Sequence, residues 1–171
     1  MRSDWKVRRR WPKRSPAFKL PLPVDCQCAQ HVVLDTNVLL DLWLYEAPCD
    51  SAIPLHDALL NNSVQWLATE AMRAELERVL AYPHIAARLA GGAERFLGRF
   101  DAHARLLPAA ARAPVHCRDV DDQKFLDLAA AHPGAQLISH DKEVLACAHR
   151  MARLVGVAVG ETFPARLPRW Q

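Results

Sequence analysis

The stretch HVVLDTNVLLDLWLY, residues 31–45, constrains the fold more than any other part of the chain. A short apolar, β-branched run, HVVLD (31–35), passes without a loop into TNVLLDLWLYE, whose apolar residues are spaced for a helix. A strand that is apolar in succession, not in alternation, is one covered on both faces. The residue at the junction is Asp35, a carboxylate at the tip of a buried strand. Two explanations stand open: Asp35 caps the helix that follows, or it belongs to an acidic site that only the folded chain assembles.

The strand-to-helix pattern recurs along the chain. Pro48 and Pro54 interrupt the first helix, and LHDALLNN (55–62) reads as another. VQWLA (64–68) is a second strand, and Thr69 is placed to cap EAMRAELERVLAY, in which Met72, Leu76, Val79 and Leu80 share one apolar face until Pro83 ends it. The stretch 84–107 reads as one or two helices broken around Gly91-Gly92. VDDQKFLDLAAAH (120–132) is a helix with Phe125, Leu126, Leu128 and Ala129 facing a core. AQLISH (135–140) is a third strand, DKEVLACAHRMARL (141–154) a helix, and VGVAV (155–159) a fourth strand. Alternating strands and helices predict an α/β fold, with a central parallel sheet of four or five strands flanked by helices.

With 171 residues, 51% of them hydrophobic and 24% charged, the chain suits one globular domain and not general disorder. No apolar run approaches the roughly 20 residues of a membrane span, and the basic N-terminus lacks the apolar core of a secretory signal. A soluble, cytoplasmic protein with no membrane partner is expected. The five cysteines, Cys26, Cys28, Cys49, Cys117 and Cys147, are odd in number and scattered, as in a reducing compartment. Cys26 and Cys28 with His31 lack the spacing and the second ligand pair of a structural zinc site.

The net charge of +3 is unevenly spread. Residues 1–20 carry eight Lys/Arg against Asp4 alone, so the rest of the chain is mildly acidic. Residues 1–30, with Pro12, Pro16, Pro21 and Pro23 and no apolar period, read as an extended arm, and 161–171 as a loosely packed tail. The arm is read as solvated, as upstream sequence included by a wrongly assigned start, or, through its arginines with Trp5, Trp11 and Phe18, as a nucleic-acid contact.

In open parallel sheets ligands bind beyond the carboxyl ends of the strands. Asp35 ends the first strand and Asp141 closely follows the third, so both belong to that rim. Asp119, Asp121 and Asp122 precede the helix leading to the third strand, and Glu75 lies on the helix after the second. Any one of these acids has an ordinary explanation as a helix cap or a surface residue. Together on one rim they would repel unless cations were held there, and hard oxygen donors select Mg²⁺ or Mn²⁺ over zinc. Such ions suit the in-line hydrolysis of a phosphodiester.

Four blocks, VVLDTNVLLDLW, TEAMRAELERVL, CRDVDDQKFLDLA and LISHDKEVL, in this order and spacing, resemble the PIN-domain nucleases, including the VapC-like toxins of bacterial toxin–antitoxin pairs. The resemblance covers residues 31–160. It implies a metal-dependent endoribonuclease with Asp35, Glu75, Asp122 and Asp141 as catalytic metal ligands and Asp119 as an outer ligand. Asp122 is preferred to its acidic neighbours because it stands seven residues before Ala129, as in the family pattern. Asn37 and Ser139 match polar positions that orient the carboxylates, and Thr36 is read as helix-starting structure. The implied partners are an RNA substrate, a small antitoxin protein and a second copy in a homodimer. The basic arm departs from the pattern, and His140 has no assigned role.

Two other readings compete. One is a non-catalytic RNA- or protein-binding module on the same fold. The other is a phosphatase-like domain with Asp35 as nucleophile, which the presence of Asn37 in place of a second aspartate disfavours.

Overall fold

Five short apolar segments form the strands, and in a computed structural model describing residues 30–44, 53–89 and 91–164 they pair into one parallel sheet. The N-terminal arm up to residue 29, Cys26, Cys28, Cys49, the expected helix end at Tyr45–Glu46 and the tail from 165 lie outside the described residues. Strands β1 (Gln30–Leu34), β2 (Val64–Thr69), β3 (Ala104–Leu107), β4 (Gln136–Ile138) and β5 (Ala158–Gly160) stand in the order β3-β2-β1-β4-β5. Successive connections run outward from β1 in one direction and then resume on its other side, between β1 and β4. That is a topological switch point, where helices leaving the two strands diverge and open a crevice at their carboxyl ends.

The central strand explains the uninterrupted apolar run. Val32, Val33 and Leu34 are all buried, because helices cover both faces of the sheet. Helix α1 (Thr36–Leu44) leaves β1 directly, with Val38 and Leu39 donating backbone bonds to the Asp35 carbonyl. Helices α2 (Ile53–Leu60) and α3 (Glu70–Leu80) pack on β2. After the short α4 (Pro83–Ala86), α5 (Gly92–His103) lies against α3 and β3. Helix α6 (Gln123–Ala130) presents Phe125, Leu126, Leu128 and Ala129, all buried, to β1, β2 and β4. The aromatic part of the core joins Trp66 to Phe100 at 4.7 Å and to Trp43 at 5.8 Å, with Phe96 at 6.0 Å from Trp43, all edge to face.

Most boundaries shift by one to three residues, and three further differences concern how elements form or end. Residues 104–107, expected within a helical stretch, form the edge strand β3, paired with β2 from Trp66↔Ala104 to Thr69↔Leu107. Ala-Arg-Leu-Leu has no β-branched residue and only one paired neighbour, so its pairing, not its composition, decides its state. The helix expected over 141–154 is two, α7 (Lys142–Leu145) and α8 (Ala148–Val155). The last strand begins at Ala158, not Val155, because Gly156 at φ +70° closes α8 in the left-handed conformation.

Candidate active site at the switch point

Asp35 is placed by the sheet itself. Its N–H donates to the Ile138 carbonyl at 3.0 Å, extending the β1–β4 register of Leu34↔Ile138 by one residue beyond the strands. The side chain is buried, and Ser139 donates its hydroxyl to Oδ2 at 2.6 Å. Burial pushes the Asp35 carboxyl up from its ordinary pKa, and the charge of Glu75 adds to this. The Ser139 bond and the backbone amides of Asn37 and Thr36 work the other way, favouring the ionised form. The carboxylate thus meets the start of α1 and stands at the switch point.

Ser139, fully buried, ties two acids together. The same Oγ that donates to Asp35 accepts the Asp141 N–H at 3.0 Å. Asp141 caps α7 as its side chain suggests, with Oδ1 accepting from Glu143 N at 2.7 Å and Val144 N at 3.4 Å. Both bonds are made by Oδ1, so the capping role leaves Oδ2 uncommitted by them.

Asp122 behaves otherwise. It occupies the N-cap position of α6, yet its side chain makes no capping bond. Burial, followed by the charges of Asp35, Asp141 and Asp119, raises its pKa to about 7, and Lys124 offsets part of this. The loop that delivers it is anchored by the buried Gln123. Its amide accepts from Cys117 N at 2.7 Å and donates to the Val115 carbonyl at 3.0 Å and to Asp127 Oδ1 at 2.7 Å. Asp119 is exposed and folds back on the loop, accepting from Asp121 N at 2.8 Å.

Glu75 arrives from α3. Thr36 donates its buried hydroxyl to Oε1 at 2.8 Å, and the Lys124 ammonium pairs with Oε2. Thr36 thus does more than start a helix. The Asn37 side chain is exposed, and the contribution of this residue to Asp35 is its backbone N–H. His140, without a role in sequence, bridges Asp41 of α1 at 2.9 Å and the Glu161 carbonyl at 3.2 Å, fastening the loop after β4 across the rim.

The four acids therefore surround one rim without closing on one point. Among the described residues no group of three or more His, Cys, Asp or Glu side chains stands close enough together to hold a metal ion. The reason lies in their partners: Glu75 is drawn to Lys124, Asp141 to helix amides and Asp119 to its own loop. The donor chemistry nonetheless fits a hard cation, since Asp122 feels three neighbouring carboxylates against one ammonium. Beside the rim a groove of about 500 Å³ runs along α3, lined by Ala71, Ala74, Glu75, Arg78, Val120, Asp121 and Lys124. Of the other helical arginines, Arg73 is bound twice by Asp101, at 2.7 and 2.9 Å. Arg99 lines a separate cavity with Trp43 and His103.

A doubly wound parallel sheet with carboxylates around its switch point defines a class of α/β domain. The PIN domain family matches residues 31–143, more than half of the chain and a span holding all four acids, and the chain belongs to that family. No curated protein matches it. Among the described residues no helix is long and apolar enough to cross a membrane.

Proposed function

We propose that this protein is a Mg²⁺- or Mn²⁺-dependent endoribonuclease whose site is the acidic rim of Asp35, Asp122, Asp141 and Glu75, with Asp119 as an outer ligand. The observation that carries the reading is geometric: Ser139 joins Asp35 to Asp141 at the switch point, and Asp122, whose side chain makes no capping bond, faces them from the start of α6. A carboxyl pushed to about 7 by burial and by Asp35, Asp141 and Asp119 is a group that a cation would relieve. When bound, the divalent ion supplies Lewis acidity toward a water nucleophile and charge neutralisation at the phosphodiester. The chain's own residues do the rest. Ser139 fixes the Asp35 carboxylate and the Asp141 backbone in one relative position, and Gln123 holds the loop that aims Asp122. Arg78, in the groove beside Glu75, would meet a phosphate of the RNA strand.

Family membership agrees with nuclease activity in general. The narrower role, a toxin restrained by a small antitoxin and working as a homodimer in the cytoplasm, rests on the resemblance of the four sequence blocks to VapC-like toxins. A short neighbouring reading frame whose product suppresses cleavage would support it. The direct test of the activity is Mn²⁺-dependent cleavage of a mixed RNA by wild type, Asp35→Asn and Asp122→Asn. Loss of at least about 100-fold in both folded variants is expected. Equal activity in all three would exclude the rim as the source.

A further inference from the structure

Lys124 stands on the first turn of α6, two residues after Asp122, with only 22% of its side chain exposed. Three groups fix its ammonium. It pairs with Glu75 Oε2, donates to the Asp121 carbonyl, and lies 4.7 Å from the centre of the buried Phe125 ring. Glu75 is itself only 15% exposed, and its other oxygen is held by Thr36 at 2.8 Å. Both carboxylate oxygens are thus already satisfied, one by a hydroxyl and one by a full positive charge.

We propose that Lys124 is a built-in counter-ion of the acidic rim, competing with divalent cations for Glu75 and so setting the affinity of the site. The proposal rests on the metal reading above and sharpens it: Asp35, Asp122 and Asp141 make the first hold on a cation, and Glu75 joins only as the ammonium is displaced. Lys124 is therefore a positioning residue, acting through Glu75.

The test is calorimetric titration of EDTA-treated full-length protein with MnCl₂, with no RNA present. Wild type is compared with Lys124→Met, Lys124→Gln and the double variant Lys124→Met/Glu75→Gln, each checked for native circular dichroism. Either single variant should bind Mn²⁺ about tenfold more tightly than wild type, equivalent to about 1.4 kcal/mol. The double variant should return to within about threefold of wild type, because the gain runs through Glu75. Unchanged or weaker binding in both single variants overturns the proposal, as does a double variant that keeps the full gain. Absence of Mn²⁺ binding in wild type and every variant would overturn the metal reading itself, and this inference with it. Tight binding by wild type that the variants do not alter would remove only the role of Lys124.

Discussion

At the scale of single residues, the molecule concentrates charge where water is scarce, and titration should reveal it. Asp122 keeps its proton up to about pH 7 in the folded chain, against an ordinary value of 3.8. Between those values the folded state binds more protons than the unfolded, so stability is highest at the acid end and declines as pH rises toward 7. In EDTA-treated protein the melting temperature of wild type should fall relative to Asp122→Asn across that window. Parallel pH profiles would show that Asp122 is unstrained. Ser139→Ala removes a charge-assisted bond to Asp35 and should cost about 1–3 kcal/mol in urea unfolding at neutral pH. The positions of Asp35, Asp122 and Asp141 on the rim were legible in the sequence because strand ends and helix starts locate them there. Glu75, in the middle of α3, was singled out by the resemblance. Thr36 and Lys124 were not legible. Thr36 follows Asp35 and Lys124 stands two residues after Asp122, but their shared partner Glu75 lies on another helix, and no spacing rule reports that contact.

Among elements, stability should follow burial and not charge pairing. Phe100, at 1% exposure, packs on Trp66 and joins α5 to the sheet, so Phe100→Ala should lose about 3–5 kcal/mol of unfolding free energy. Asp101, its neighbour on the same helix, holds Arg73 in two short bonds at the surface. Asp101→Ala should nevertheless cost less than about 1 kcal/mol. The reverse order in denaturant titrations would mean that α5 is held by its surface. Helices α1, α3 and α6 and strands β1 and β2 were readable because long apolar periods or β-branched runs mark them. Strand β3 escaped because Ala104–Leu107 owes its conformation to Trp66–Thr69, some forty residues away. The break between α7 and α8 is likewise invisible to apolar spacing, since Val144, Cys147 and Met151 keep a helical period across it.

For the whole molecule, sheet order turns scattered acids into neighbours. The parallel order puts β1 beside β4, bringing Asp35 and Ser139 within one hydrogen bond although they are 104 residues apart. The strongly basic residues 1–20 are set against a body with excess acid. If they assist RNA binding, removing residues 1–29 in an Asp122→Asn background should weaken binding and flatten its salt dependence. The logarithmic slope should drop by about 0.7 for each single-strand phosphate that the arm neutralises. Anisotropy titrations at several salt concentrations would read both, and unchanged slopes would assign the arm no part in binding. In the proposed mechanism the carboxylates at the switch point hold a divalent cation. Anomalous diffraction from crystals grown with Mn²⁺ tests it most directly. A manganese peak bounded by Asp35, Asp122 and Asp141 is the predicted result, and crystals saturated with Mn²⁺ that show no peak there would contradict it.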